Sequence, residues 1–269
     1  MAVVPFRDPH SQSDPTRWNE PEEADAGGKM SFLEHLDEFR KRLINSLIAV
    51  AVGMGLSFFF INRIFEFIMV PLQQMLPPGG HLIATEPTEP FMLYLKIGLL
   101  AGTIVASPAI MLQVWLFIAP GLYANEKKFA IPFIFFTTVG FIAGAAFSHK
   151  IVFPLMWKYF ASFQTDYMLF TPRINAVFSL YVRMIIAMGI VFEMPALVFA
   201  LARMGVITAR WLLRNFKYAV LVNFIIAAVI TPSPDPFSQT MVAGPMCLLY
   251  ILSILIAWAF GKRREPAVA

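Results

Sequence analysis

One carboxylate, Glu193, lies inside a long stretch that is otherwise free of charge. The nearest charged residues on either side are Arg183 and Arg203. A charged side chain at membrane depth costs roughly 2.5–3.5 kcal/mol on insertion scales, so it requires a wet cavity, a partner or a proton. Glu193 could be a proton or ion relay, a polar point in a groove that receives another molecule, or a protonated acid bonded to a neighbouring helix.

Two further acids, Glu38 and Glu126, lie in charged segments next to uncharged runs. Glu38 belongs to EHLDEFRKRL (34–43) and Glu126 to FIAPGLYANEKK (117–128). If both segments face the same side of a membrane, the two carboxylates can form one acidic site in a basic surround. The simpler alternatives are a basic anchor that holds the start of the first span in the cytoplasm, and an ordinary turn.

A third candidate site is the polar start of the last uncharged run. Gln239 follows the proline-rich turn in TPSPDPFSQT (231–240). Polar side chains at the end of a span are commonly interfacial. The alternative is that Gln239 forms a hydrogen bond with an incoming transmembrane helix.

Enzyme and metal motifs are missing from the sequence. The four histidines are scattered, and HExxH, CxxC, GxSxG and phosphate-loop patterns do not occur. Cys247 has no partner cysteine, so neither a disulfide nor a thiolate metal site is expected. These patterns predict a protein that is not an enzyme, with no catalytic residues, no metal and no cofactor.

Composition predicts that membrane-spanning helices position these residues. Of the 269 residues, 58% are hydrophobic and only 14% are charged, against about 25% charged residues in soluble domains. The net charge of +4 does not indicate nucleic-acid binding, because the basic residues lie beside the apolar runs. The predicted fold class is an all-α integral membrane protein.

Uncharged runs predict six transmembrane helices, since a span needs about 20 apolar residues. The expected spans are 43–61, 97–118, 129–157, 176–202, 218–231 and 239–260. The fifth is short: at about 1.5 Å per residue it reaches about 21 Å, against a hydrocarbon thickness near 30 Å.

The remaining segments complete the predicted organisation. Residues 1–29 are expected to be a disordered cytoplasmic tail, 30–264 the membrane domain and 265–269 a second tail. Residues 63–76 are expected to form an amphipathic stretch on the outer surface. Placing both termini in the cytoplasm puts most of the 21 Lys and Arg residues there, as the positive-inside rule requires.

Taken together, these segments resemble the TatC family, the polytopic receptor subunit of the twin-arginine protein translocase. The resemblance covers about residues 31–264, and its last motif is one residue longer than the TPPD-x-FSQ form of the family. It implies an inner-membrane protein whose six helices form a concave, glove-like bundle with short helices five and six. The motifs are LDEFRKRL (36–43), EPTEPF ahead of Lys96, QVWLFIAPGLYANEKK (113–128), FEMP (192–195) and TPSPDPFSQT (231–240).

The resemblance also implies a function. The chain would bind the Arg-Arg motif in signal peptides of folded exported proteins. It would then recruit TatB- or TatA-like single-span partners and further copies of itself for transport driven by the proton-motive force. Carried over residue by residue, the sites are Glu38, Glu126, Arg40 and Leu36 for the signal peptide, Glu193 for an intramembrane groove, and Gln239, Thr231 and Phe237 for the partner helix.

The chemistry of arginine agrees with this assignment. Its planar fork binds a carboxylate through two hydrogen bonds, whereas lysine offers a point charge, so two carboxylates prefer twin arginines. The alternative function is a proton-coupled small-solute transporter that uses Glu193 as its relay. The lack of a convincing internal repeat weakens that alternative.

Overall fold

The computed structural model describes residues 32–76, 80–118, 130–165, 167–168, 170–231 and 235–261. Two units are distinguished, Met1–Glu38 and Phe39–Ala269. In the first unit the described residues, 32–38, are helical. The predicted tails, 1–29 and 265–269, lie outside the described residues.

Helices account for nearly all of the described chain, in which β-structure is limited to two isolated bridges. A π-helical turn, Ser148–Val152, joins α4 to α5. The helices are α1 Phe32–Phe58, α2 Ile61–Gln74, α3 Glu89–Ile118, α4 Ala130–Phe147, α5 Phe153–Ala161, α6 Ile174–Phe192, α7 Met194–Arg203, α8 Ala209–Arg214, α9 Phe216–Ile230 and α10 Pro236–Phe260.

Five helical segments of the described chain are long and apolar enough to cross a membrane. The sixth predicted span corresponds to α10, and the fifth to the shorter apolar helix α9. The all-α membrane fold is therefore confirmed. The long segments are Leu33–Phe58, Glu89–Phe117, Ile131–Ala161, Ile174–Arg203 and Pro236–Phe260.

The lengths of the last two helices differ from each other. α9 has 15 residues, which gives a length of about 22 Å, as expected for a short fifth span. α10 has 25 residues, so the implied short sixth helix is wrong. α10 is longer because it packs against α9 over its first part and continues along α7 over its second.

Helix boundaries also depart from the uncharged runs. α3 begins at Glu89, well before the predicted span, and remains helical through Pro108. α10 is likewise continuous through Pro245. α2 matches the predicted amphipathic stretch 63–76. A charged residue marks the end of an uncharged run in the sequence. The helix itself can continue through that residue, because a charged turn is tolerated outside the hydrocarbon.

One close contact between helices in the core lies between α4 and α6. A Cβ atom built on Gly144 would lie 2.5 Å from the backbone oxygen of Met188 and 2.9 Å from the Cα of Gly189. Small residues let backbones approach in this way, which is how helices associate where lipid removes the hydrophobic driving force. The buried side chains of Phe178 and Met184 pack in the same core.

A second glycine contact holds α1 against α3. A Cβ on Gly53 would lie 2.5 Å from the backbone oxygen of Gly102, and the ring of Phe58 lies against Gly98. These contacts fix the part of α1 that follows Phe39 along the side of α3.

We predict that Gly144→Ala destabilises the protein, because the new methyl group would overlap the Met188 carbonyl. Overpacking of this kind typically costs about 1–3 kcal/mol. The matched control is Gly55→Ala in α1, where a Cβ has no neighbour within 4 Å. That control should be neutral or stabilising by up to ~1 kcal/mol. Thermal unfolding in detergent, followed by circular dichroism, measures both, and equal behaviour of the two variants would contradict the close contact.

Candidate functional site

The first group of predicted site residues lies near the start of α1. Leu36 and Arg40 are exposed, and Glu38 is half-buried. Glu126 lies in the segment 119–129, outside the described residues. The grouping of Glu38 with Glu126 therefore stays a prediction.

The last turn of α3 packs against α1 beginning at Phe39. The rings of Phe39 and Phe117 meet edge to face with centroids 5.6 Å apart. One turn along each helix, Arg42 Nη1 donates a hydrogen bond to Gln113 Oε1 at 3.5 Å. α3 ends at Ile118, one residue after Phe117, and the segment 119–129 that carries Glu126 lies outside the described residues.

Glu193 lies at an interruption between α6 and α7. Its backbone N–H donates to the Ile190 oxygen at 3.1 Å, which closes a three-residue turn instead of a four-residue one. Pro195 stands in the first turn of α7 and has no N–H to continue the α6 hydrogen-bond ladder. The sequence predicts one continuous span here. In the structure this span is interrupted at Glu193, between α6 and α7.

The Glu193 side chain is buried, with 8% of its surface exposed. Its Oε1 atom accepts no hydrogen bond from the residues that the structure describes. A Cβ on Gly140 of α4 would lie 3.3 Å from this oxygen, so the glycine leaves the space that the carboxylate occupies. The carboxylate thus lies against α4, and all three interpretations of Glu193, as a relay, as part of a groove or as an acid bonded to a neighbouring helix, stay open.

An apolar pocket of about 580 Å³ lies next to this interruption. Phe192 and Pro195, which flank Glu193, line the pocket, and Arg203 is the one charged residue among the described residues of its wall. Aromatic side chains from four helices form most of the remaining wall: Trp115, Phe133, Phe136, Phe199 and Phe260.

Polar side chains form hydrogen bonds at the end of α9 and at the start of α10. Thr231 is buried at the end of α9, and its Oγ1 donates to the Ala227 oxygen at 2.9 Å. Asp235 Oδ1 accepts from the Ser238 N–H at 2.8 Å and so caps the start of α10. Residues 232–234 lie outside the described chain.

Phe237 and Gln239 lie in the first turn of α10. Phe237 is exposed, and its ring centroid lies 4.3 Å from that of Tyr159 at the end of α5. Gln239 is half-buried. The two predicted docking residues therefore share one turn with an aromatic pair beside them.

Two polar clusters near the starts of α3 and α6 escaped the sequence analysis. In the first, Lys96 Nζ donates to Asn175 Oδ1 at 2.5 Å and to Ser179 Oγ at 2.9 Å, which joins α3 to α6. In the sequence, the one sign of this cluster is Lys96, an isolated lysine at the edge of a predicted span. Its partners are uncharged, so no sequence pattern identifies them.

The second cluster surrounds Glu89, which is 3% exposed. Its carboxylate accepts from the Thr85 N–H at 3.0 Å and the Thr85 hydroxyl at 3.1 Å, and Arg173 Nη2 lies 3.4 Å away. Arg173 also donates to the Thr85 hydroxyl. A backbone bridge between Ile83 and Arg173 fastens the two loops. These groups are far apart in sequence, so only the fold brings them together.

These features define a class of protein: a polytopic helical membrane protein with a buried acid, polar caps at the ends of its spans and a charged first helix. No group of side chains that could hold a metal ion occurs among the described residues.

Comparison with known proteins identifies the family. Residues 34–245 match the family described as TatC, Sec-independent protein translocase protein. TatC of Koribacter versatilis is 42% identical over 250 residues, which cover 89% of this chain and 91% of that protein. TatC of Helicobacter pylori J99 is 44% identical over 223 residues, covering 83% and 87%.

Solved structures agree. The crystal structure of a twin-arginine translocase receptor, TatC, superposes with a TM-score of 0.75 at 38% identity and covers 83% of this chain and 98% of that one. A second TatC structure, in DDM, gives a TM-score of 0.75 at 37% identity and covers 86% of this chain and 100% of that one. The chain belongs to the TatC family and is a component of the Sec-independent protein translocase. This confirms the resemblance and, since the family is not enzymatic, the prediction that the chain is not an enzyme.

The two buried acids should respond in opposite directions to the same substitution. We predict that Glu193→Met stabilises the protein by about 1–3 kcal/mol, because it removes a buried polar atom without a hydrogen bond. Glu89→Met should destabilise the protein, because the hydrogen bonds from Thr85 and Arg173 to a charged group are lost. Thermal unfolding in detergent distinguishes them. A loss of stability in Glu193→Met would show that this acid has a stabilising partner.

Proposed function

We propose that this chain is the signal receptor of its translocase. It binds the Arg-Arg motif of folded cargo proteins at the cytoplasmic face of the inner membrane, with both of its own termini in the cytoplasm. The observation that best supports this is the contact between Phe39 and Phe117, with ring centroids 5.6 Å apart. Glu38 directly precedes Phe39 in the chain, and the segment that carries Glu126 begins just after Phe117.

Recognition rests on the two carboxylates, Glu38 and Glu126. Each can accept two parallel hydrogen bonds from one guanidinium fork, which a lysine cannot supply. Hydrogen bonds to charged groups contribute roughly 1.5–3 kcal/mol each, so the loss of one fork weakens binding about ten- to hundredfold.

The neighbours Leu36 and Arg40 complete this site in the proposal. Both are exposed on α1. Leu36 offers an apolar contact beside the acids, and Arg40 offsets part of their negative charge. A partly offset acidic site binds weakly enough to release its cargo.

The intramembrane part of the function involves Glu193. Its unpaired oxygen and the adjacent apolar pocket of about 580 Å³ support the proposal that this region is a groove engaged during transport. The proton-motive force drives that transport. Membership of a protein-translocase family favours this role over a small-solute transporter that uses Glu193 as its relay.

Partner recruitment occurs at the α9–α10 turn in this proposal. Gln239 forms a hydrogen bond with the transmembrane helix of a TatB- or TatA-like protein, and Phe237 with Thr231 shapes the contact. The exposure of Phe237 and the partial exposure of Gln239 support this assignment, because both side chains are accessible to a partner.

The signal site is tested by peptide binding. We expect Glu38→Gln and Glu126→Gln each to weaken binding of a fluorescent twin-arginine signal peptide ten- to hundredfold. Each substitution removes the carboxylate that accepts the hydrogen bonds of one guanidinium group. Fluorescence anisotropy on the protein in nanodiscs measures the affinity. A twin-lysine version of the peptide should bind poorly to the unchanged protein.

The matched control for the signal site is Asp37→Asn, which removes the same charge from the neighbouring position of α1 and should change affinity less than about twofold. Equal binding of the two peptides, or an equal loss in Asp37→Asn, would exclude a specific twin-arginine site at Glu38.

The docking site is tested by Gln239→Leu. Interhelical hydrogen bonds in membranes contribute about 0.6–2 kcal/mol, so recovery of the single-span partner in co-purification should weaken about three- to thirtyfold. Signal-peptide binding should not change. The control is Gln73→Leu, the same substitution at an exposed position of α2. Full recovery of the partner with Gln239→Leu would reject this residue as the docking point.

A further inference from the structure

The two helices of the α9–α10 pair are unequal, and the difference falls at one end. Phe216 at the start of α9 lies against Tyr250 of α10, with ring centroids 5.9 Å apart. Tyr250 also donates a hydrogen bond to the backbone oxygen of Leu212 in α8 at 2.9 Å. α10 continues from Tyr250 to Phe260, which adds about 15 Å at ~1.5 Å per residue.

α7 and α10 end at the same level. The rings of Phe199 and Phe260 meet with centroids 5.5 Å apart. A Cβ on Gly261, just after α10, would lie 3.9 Å from the Cβ of Ala202 in the last turn of α7. Leu212 of α8 packs in one buried cluster with Ala202 in the last turn of α7 and with Ala257 near the end of α10. We call residues 209–218, which comprise α8 and the start of α9, the step.

The step is strongly basic. Arg210, Arg214 and Lys217 are all exposed. Between Glu193 and Asp235 the sequence contains no acidic residue. Within the part of the chain that the structure describes, none of the three cations forms an ion pair. Their charge is thus available to a ligand from outside the chain.

Apolar and aromatic side chains accompany these cations. Trp211, Leu213 and Tyr218 are each more than half exposed, whereas Leu212 between them is buried against α10. Exposed Trp and Tyr beside Arg and Lys are typical of the layer where lipid headgroups meet acyl chains. The step therefore presents cationic and apolar side chains together at the start of α9.

We propose that the step binds anionic phospholipids, with their phosphates on Arg210, Arg214 and Lys217 and their acyl chains against Trp211 and Leu213. Guanidinium forks match phosphate oxygens in a bidentate manner. A zwitterionic lipid brings its own cation into a site that already holds three. An acidic segment of a partner protein would satisfy the charges, but not the exposed apolar side chains that face the acyl layer. This site is independent of the proposed signal and partner sites.

Lipid titration of the delipidated protein in detergent, followed by native mass spectrometry, tests this site. We expect phosphatidylglycerol to bind the unchanged protein more tightly than phosphatidylcholine. Arg210→Gln, Arg214→Gln and Lys217→Gln combined should weaken phosphatidylglycerol binding at least tenfold, because each cation contributes about fivefold. Binding of phosphatidylcholine should stay the same.

Two further variants separate the lipid site from net charge and from misfolding. The control triple variant, Arg63→Gln with Lys150→Gln and Lys158→Gln, removes the same charge from exposed positions elsewhere. It should change phosphatidylglycerol binding less than about twofold. Arg210→Lys with Arg214→Lys keeps the charge and should retain intermediate affinity. Equal loss in the control triple, equal binding of the two lipids, or full affinity in the step triple would each overturn the proposal. The last result would favour an acidic protein segment as the partner of these cations.

Discussion

The bilayer interior supplies no water to polar groups, and the whole architecture of this chain follows from that shortage. Backbone groups are satisfied by continuous helices. Several hydroxyl groups inside the spans bond to the carbonyl one turn earlier in their own helix, as in Ser57 to Gly53 at 2.8 Å and Ser253 to Leu249 at 2.8 Å. Such side chains need no partner from another helix. The contacts between helices therefore depend on how closely their surfaces pack.

Glycine residues allow the closest packing between helices. At Gly53 and Gly144 the backbone of one helix meets that of another so closely that an added methyl group would overlap a carbonyl. Among the described residues, charged groups make polar contacts near the ends of helices: Lys96 bonds across from α3 to α6, and Glu89 binds a loop through Thr85 and Arg173. The interior is thus fastened by close packing and the ends by polar bonds.

The same constraint explains which features could be predicted from the sequence. Uncharged runs identify spans because charge is excluded from hydrocarbon, and this succeeded even for the short α9. It failed for α8, whose six residues are too few to show a period and whose only marker is the Thr208 cap. The loop contact at Arg173 also escaped prediction, because its partners Thr85 and Glu89 are far from it in the chain. The interruption at Glu193 has a local signal, Pro195, but a proline does not always end a helix, since α3 and α10 continue through Pro108 and Pro245.

The candidate sites divide in the same way. Glu193 and Gln239 stand out in the sequence because a polar residue in an apolar setting is conspicuous. The step does not stand out, since Arg210, Arg214 and Lys217 are what the positive-inside rule expects beside any span. Only the fold shows that Leu212 is buried against α10 while Trp211 and Leu213 stay exposed beside the three cations. A basic loop is ordinary at the membrane surface, but exposed apolar side chains beside the cations add a surface for acyl chains. The step therefore combines the two kinds of contact that a phospholipid needs, and neither kind alone distinguishes it from the flank of any other span.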